Sequence, residues 1–191
     1  MAEHIVSVAS SLIPKVSPAE FITEAVPGRV LFCEGSYGIS KAIEDFTHSP
    51  WSHVATVMWL PFGVWGVMEA TAKHGVHAGL LDYYVNTYKG SLVLAQTPEL
   101  SRDDFRALLA TQYNLIDDEY DFAQEAEMVA HKLLPFFPVG PTKNEYFCSG
   151  LYCRGRAATQ HPLQWTEKAM PSPEQVWLDP SIEPVCALVK G

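Results

Sequence analysis

Hydrophobic residues follow two different periods along the chain, and each period predicts a different kind of element. Short apolar runs rich in β-branched and aromatic residues, bounded by glycine or proline, are typical of strands. The predicted strands cover residues 29–33, 53–59, 64–71, 75–78, 91–96, 175–178 and 185–189. Apolar residues at helical spacing predict helices over residues 39–46, 121–134 and 148–158, and a fourth helix that starts at Ser101. Ser101 and Asp104 have the spacing of a capping box, which supports that start.

The order of these elements predicts an α+β fold in which an antiparallel β-sheet packs against helices. We expect residues 1–191 to form one domain, because a chain of this length can bury a single core. Prolines interrupt residues 1–27, so this part is expected to form an arm or a short helix on the domain. Residues 159–191 are expected to contain an extended segment at 161–173, followed by the closing strands.

The charge balance argues against a nucleic-acid partner. The chain has 13 Lys and Arg residues against 22 Asp and Glu residues, a net charge of −9, whereas a nucleic-acid surface needs clustered cations. A hydrophobic content of 48% speaks against disorder. The sequence contains neither a P-loop nor the glycine motif of a dinucleotide-binding fold, which argues against a nucleotide-binding enzyme.

Cysteine usage and the N-terminal sequence predict a cytoplasmic protein. The four cysteines are too few and too scattered for a disulfide framework, so reduced thiols are expected. Residues 1–13 lack the cationic start of a signal peptide. No uninterrupted apolar run approaches the roughly 18–20 residues that a transmembrane helix requires, so no transmembrane segment is expected.

Cys148 is placed for unusual chemistry, because it opens the predicted helix over residues 148–158. Unpaired backbone N–H groups and the positive end of the helix dipole stabilise a thiolate in the first turn. The alternative is that Cys148 is a buried structural cysteine, which is the commoner role of an unpaired cysteine. A reactive role requires a base nearby and a group that orients the base.

His53 and Glu69 are the candidates for the base and its orienting group. His53 stands at the head of an otherwise apolar strand, and Glu69 interrupts the strand that follows. A buried carboxylate needs a partner, and in a hairpin of these strands the partner would be the imidazole of His53. That contact would fix the tautomer and leave the other ring nitrogen for Cys148. The alternatives are a structural histidine and a salt bridge from Glu69 to Arg29 or Lys73.

Metal binding is a competing use of some of the same side chains. The soft or borderline ligands in the chain include His48, His53, His74, His77, Cys148 and Cys153. The two cysteines at positions 148 and 153 lack the C-x2-C spacing of a zinc knuckle, and no second pair at zinc-finger spacing occurs. We therefore expect no metal site and no cofactor.

Several short motifs occur in an order that resembles a known family. The motifs lie at residues 28–35, 39–43, 49–54, 67–70, 75–76, 81, 84, 120–122 and 147–151. This set resembles the circularly permuted papain-like proteins, the permuted branch of the NlpC-type cysteine peptidases, and in particular the YiiX-like group. The resemblance covers roughly residues 28–155, which places the family core at residues 28–158 of the domain. It implies a permuted papain-like fold with the nucleophile at a helix N-terminus.

The resemblance also implies roles for individual residues. It makes Cys148 the nucleophile, His53 the base and Glu69 the residue that orients the base. Tyr120 corresponds to a tyrosine that helps to line the oxyanion site in NlpC-type enzymes. The expected function is therefore a cysteine peptidase or amidase, a hydrolase acting on a peptide, an isopeptide or a peptidoglycan-type peptide.

Two other functions remain open on the same scaffold. One is an acyltransferase or thioesterase acting on lipid substrates, for which the apolar residues 59–66 and Phe136-Phe137 would form an acyl groove. Ordinary core and loop packing also explains these residues. The other is a binding or structural module with little catalysis, since a fold does not guarantee an activity.

Overall fold

A six-stranded antiparallel sheet forms the centre of the protein. The computed structural model describes residues 12–35, 50–118, 147–165 and 171–189. The strands are β1 (Val30–Glu34), β2 (Trp51–Leu60), β3 (Val64–Thr71), β4 (Gly75–Leu80), β5 (Leu92–Gln96) and β6 (Glu183–Leu188). Their order in the sheet is β4-β3-β2-β1-β5-β6, and every neighbouring pair is antiparallel. The predicted antiparallel sheet and six of the seven predicted strands are thereby confirmed.

Five α-helices accompany the sheet in the part of the chain that is described. They are α1 (Pro18–Thr23), α2 (Leu81–Thr87), α3 (Arg102–Tyr113), α4 (Cys148–Ala157) and α5 (Pro173–Trp177). The capping box of Ser101 and Asp104 is present at the start of α3, as predicted. The helices predicted over 39–46 and 121–134 lie outside the described residues. None of the helices within the described ranges is long and apolar enough to cross a membrane.

The described part of the N-terminal segment contains a short extended stretch and a short helix. Residues 14–16 run parallel to β6, where the amide of Val16 donates to the carbonyl of Ala187 over 2.9 Å. A short helix follows, whose capping box joins Ser17 and Glu20. Phe21 of this helix is fully buried, so the segment is packed on the sheet.

The strand predicted over 175–178 is wrong, because these residues belong to α5. Ser172 and Gln175 form a capping box, and Pro173 occupies the first helical position. The helix buries Val176 and Trp177, so it appears in the sequence as a short apolar run, which resembles a strand. One closing strand, β6, therefore takes the place of the two that were predicted for residues 159–191.

Helices cover both faces of the sheet, as the alternation of side chains along β1 shows. Phe32 packs in a cluster with Tyr152 of α4 and Trp177 of α5, while Leu31 packs on the other face with Phe21 and Leu81. Successive residues of a strand point to opposite faces. As a result, α4 and α5 lie on one side of the sheet, and α1 and α2 lie on the other.

The hairpin of β2 and β3 sets the position of His53 and Glu69. Its turn is a 3-10 segment at Pro61–Gly63, in which Phe62 and Gly63 have positive φ values of 68° and 74°. The ladder runs from the pair Leu60 and Val64 to the pair Thr56 and Met68. His53 precedes the last pair on β2 and Glu69 follows it on β3, so the two residues lie at the same end of the hairpin.

Candidate active site

Cys148 is the first residue of α4, as the sequence predicted. Phe147 occupies the N-cap position with extended backbone (φ −98°, ψ 166°), and its side chain forms no capping hydrogen bond. Leu151 donates the first helical N–H bond, to the carbonyl of Phe147 over 2.9 Å. The amides of the first turn therefore lack helical acceptors and lie beside the thiol, which is only 6% exposed as a residue.

The imidazole of His53 connects Cys148 to Glu69. Its Nε2 atom lies 2.8 Å from Oε2 of Glu69, and the Cys148 side chain lies close enough to the ring to raise the pKa of His53. Because Glu69 engages Nε2, the nitrogen left for the thiol is Nδ1. The structure thus brings three of the predicted site residues together, and the His53 side chain remains 16% exposed.

The surroundings of His53 and Glu69 favour the charged form of each side chain. Burial lowers the pKa of His53, but the Cys148 sulfur and the Glu69 carboxylate outweigh it and raise the pKa to about 10. Burial raises the pKa of Glu69, but the hydrogen bond and charge of His53, together with the hydrogen bond from Tyr84, outweigh it and lower the pKa. Near neutral pH, His53 is therefore an imidazolium beside an ionised Glu69.

Glu69 makes further contacts that the sequence did not suggest. The Tyr84 hydroxyl, on α2, donates to Oε2 of Glu69. On the other side, Nε2 of His77 lies 3.5 Å from Oε1. A Cβ atom at Gly79 would collide with the same Oε1, so the carboxylate rests against the backbone of β4.

Neither salt bridge suggested for Glu69 is present in the described part of the chain. Arg29 pairs with Glu24 instead, at 2.9 Å from its carboxylate oxygen. Lys73 lies in the turn between β3 and β4 and forms no ion pair with Glu69. The partners of the buried carboxylate are two histidines and a tyrosine.

Three residues that contact Glu69 were not predicted, and the sequence signals for them differ in strength. His77 pairs with Glu69 across β3 and β4, and the two predicted strands already implied such a pairing. Gly79 lies two residues further along β4, so it is on the same face of the sheet as His77. Tyr84 was missed because α2 was not predicted, although Leu81, Tyr84 and Val85 have the i, i+3, i+4 spacing of a buried helical face.

Several other candidate residues lie away from the site or outside the described residues. Tyr120, His48, Phe136 and Phe137 belong to the parts of the chain that the structure does not describe. The aromatic residues of the 59–66 loop occupy the hairpin tip, where Trp59 packs edge-on against Trp65 at 4.2 Å. A strand rises about 3.3 Å per residue, so Trp59 stands about 20 Å along β2 from His53. This loop does not border Cys148.

The metal ligands considered from the sequence do not assemble within the described residues. No group of three or more His, Cys, Asp or Glu side chains there could hold a metal ion. His74 and His77 are neighbours, with ring centroids 5.2 Å apart, but His77 faces Glu69. The structure describes all four cysteines, and none of them is in a disulfide.

Comparison with known proteins gives a structural relative and no relative by sequence. No protein-family model matches the chain, and no curated protein matches it. Among solved structures, the crystal structure of the metalloprotein YiiX from Escherichia coli O157:H7 superposes with a TM-score of 0.66 at 18% sequence identity. The match covers 86% of this chain and 98% of that one. The chain therefore has a YiiX-like fold.

Proposed function

We propose that the protein is a cysteine hydrolase that cleaves an amide or peptide bond through Cys148, His53 and Glu69. The observation that carries this proposal is that one imidazole, that of His53, is hydrogen-bonded to the Glu69 carboxylate and interacts electrostatically with the Cys148 side chain. A nucleophile, a base and an orienting carboxylate in that order form the arrangement of a catalytic triad.

The proposed reaction begins from the ion pair of the Cys148 thiolate and the His53 imidazolium. The thiolate attacks the substrate carbonyl carbon, and the electron pair of the C=O bond moves to oxygen. The backbone N–H of Cys148 stabilises this oxyanion. When the intermediate collapses, the C–N bond breaks and the proton on His53 passes to the leaving amine. Glu69 stabilises the imidazolium throughout and does not itself accept the proton.

Hydrolysis of the thioester completes the cycle. Neutral His53 takes a proton from water, and the resulting hydroxide attacks the acyl carbon. The C–S bond breaks, the carboxylic acid leaves, and the thiolate and imidazolium are restored. In this scheme Tyr120 is proposed as a second group at the oxyanion site.

The chain order of the three residues supports a permuted papain-like scaffold. His53 and Glu69 precede Cys148 in the sequence, whereas the cysteine helix comes first in unpermuted enzymes of the family that the motifs resemble. The likeness to YiiX supports the same architecture at the level of the fold. Peptides, isopeptides and peptidoglycan-type peptides are the substrates that this scaffold suggests.

The two other functions have less support. The lipid acyltransferase or thioesterase was suggested by an apolar groove from residues 59–66 and Phe136-Phe137. Residues 59–66 lie at the far end of the hairpin from His53, and Phe136-Phe137 lies outside the described residues. A non-catalytic module does not require a buried carboxylate that keeps a histidine charged beside a thiol. The amide hydrolase uses the thiol, the imidazole and the carboxylate.

Thiol labelling and turnover test the proposal together. Iodoacetamide at pH 7 should alkylate Cys148 at least about tenfold faster than Cys153 or Cys186, as measured by mass spectrometry of the digested protein. Cys148→Ala should abolish turnover of a peptidoglycan-type peptide or a p-nitrophenyl ester, while Cys153→Ala, one turn further along α4, should retain it.

Two further measurements separate the alternatives: the preference between substrates and the effect of a chelator on activity. Faster turnover of long-chain acyl esters than of peptides would favour the lipid enzyme. Loss of activity on treatment with EDTA would show that the chemistry requires a metal ion. Equal and slow alkylation of all the cysteines would overturn the role of Cys148.

A further inference from the structure

The Glu69 carboxylate is a crowded polar group in a buried position. Glu69 is 3% exposed, and both of its oxygens are engaged. Oε2 contacts Nε2 of His53 and accepts from the Tyr84 hydroxyl. Oε1 faces His77 and rests on the backbone at Gly79. Contacts on both oxygens restrict rotation of the carboxylate about its own axis.

Tyr84 contacts both members of the pair formed by His53 and Glu69. Besides donating to Glu69, its hydroxyl lies 3.4 Å from Nε2 of His53. The phenol and imidazole rings are nearly parallel, with an interplanar angle of 7° and centroids 6.1 Å apart. Helix α2 holds Tyr84 in place, since Leu81 and Val85 are buried on the same side of the helix.

We propose that Tyr84 is a positioning residue whose hydroxyl holds the Glu69 carboxylate in the orientation in which Oε2 faces Nε2 of His53. This role rests on the proposed hydrolase function, in which His53 must present its other nitrogen to Cys148. Tyr84 acts through Glu69 and His53, and not on the substrate.

The chemistry of a phenol suits this role better than that of a histidine. Burial and the adjacent charge of Glu69 both raise the pKa of Tyr84, so the hydroxyl keeps its proton. Tyr84 is therefore a donor throughout the working pH range, whereas the donor state of an imidazole changes near neutral pH. A permanent donor on Oε2 holds the carboxylate facing Nε2 of His53 throughout that range.

The test compares two adjacent tyrosines of α2. Tyr84→Phe keeps the ring that lies parallel to His53 and removes the hydroxyl. Tyr83→Phe is the matched control, because Tyr83 is 62% exposed and packs edge-on against Tyr84 at 5.9 Å. The readouts are the titration of His53, followed by NMR in protein labelled with 15N-histidine, and the rate of Cys148 alkylation against pH. The His53→Gln variant assigns the His53 signal.

Tyr84→Phe should move the His53 titration midpoint down by about one pH unit, because a carboxylate that rotates away from Nε2 stabilises the imidazolium less. It should slow Cys148 alkylation only modestly at pH 7, where a midpoint lowered from about 10 by one unit still leaves His53 protonated, and more strongly towards pH 9. Tyr83→Phe should change neither quantity. An unchanged or raised midpoint in Tyr84→Phe would overturn the proposal.

A double variant separates positioning from a general structural role. If Tyr84 acts through the charge of Glu69, Tyr84→Phe should slow alkylation little further in a Glu69→Gln background. If the two substitutions slow alkylation by factors that multiply in the double variant, Tyr84 acts independently of Glu69, and the proposal is overturned. Absence of turnover in the wild type would contradict the hydrolase function instead, and the comparison of His53 titrations would still decide the role of Tyr84.

Discussion

Nε2 of His53 lies 2.8 Å from Oε2 of Glu69, although the ladder between their strands ends at Thr56 and Met68. The two side chains meet beyond the last backbone pair of the hairpin. Near this end of β2, α4 packs on one face of the sheet and α2 packs on the other. The site therefore lies where elements that are distant in the sequence meet.

Removing the charge of Glu69 tests whether that contact supports catalysis. Glu69→Gln keeps the length of the side chain but gives His53 a neutral partner, so the imidazolium loses its stabilising charge. We expect kcat on a p-nitrophenyl ester to fall about 100-fold or more, with a smaller change in KM.

Glu183→Gln is the matched control for that variant. Glu183 lies at the exposed start of β6 and hydrogen-bonds to Gln96, so its replacement should leave kcat unchanged. If Glu69→Gln retains more than half of the wild-type kcat, the carboxylate does not orient the base.

The charge of His53 should also make stability depend on pH. Burial lowers the pKa of His53, but Cys148 and Glu69 raise it to about 10, above the value of about 6.5 in an unfolded chain. A group whose pKa is raised on folding stabilises fully below its unfolded pKa, and that contribution is lost as the pH rises through the folded pKa. The His53 contribution should therefore decline between about pH 6.5 and pH 10.

Urea unfolding at pH 6 and pH 10 measures this decline. The free energy of unfolding of the wild type should fall by about 4 kcal/mol more than that of His53→Gln over this interval. The comparison with the variant removes the contribution of other groups that titrate at alkaline pH. Equal declines in the two proteins would show that His53 is not held as a cation in the folded state.

The parts of the site that the sequence predicted depend on local signals. The hairpin was predicted because two apolar runs flank a Pro-Phe-Gly turn, and the start of α4 because a segment rich in proline and glycine precedes its helical block. Glu69 stood out because a carboxylate in an apolar strand requires a partner. These features are each visible within about ten residues.

The parts that the sequence did not predict depend on tertiary contacts or on short elements. Tyr84 reaches Glu69 only because α2 packs on the sheet, and α2 has just two turns, too short for its period to stand out. Helix α5 was mistaken for a strand for the same reason. Its capping box was the signal that distinguishes the two, since Ser172 precedes Gln175 by three positions.

The corrected assignment of α5 makes a prediction about stability. Ser172→Ala removes the side chain that accepts from the amide of Gln175 over 3.2 Å, and loss of such a cap costs about 1 kcal/mol. Ser101→Ala, which removes the equivalent cap of α3, provides a comparison. Urea unfolding should show a similar loss for both variants without loss of Cys148 alkylation. A change below about 0.2 kcal/mol for Ser172→Ala would contradict a stable α5.

Because Gly79 contacts Glu69, a substitution at Gly79 can displace the carboxylate without changing Glu69 itself. The methyl group of Gly79→Ala would overlap Oε1 of Glu69, so the carboxylate must shift, and we expect Oε2 to move away from Nε2 of His53. We expect kcat to fall about tenfold, because the base loses its orienting group while the folded core remains. Ala78→Ser, at the exposed position next to it, should keep the wild-type kcat. A Gly79→Ala variant with unchanged kcat and an unchanged rate of Cys148 alkylation would show that the site tolerates a displaced carboxylate.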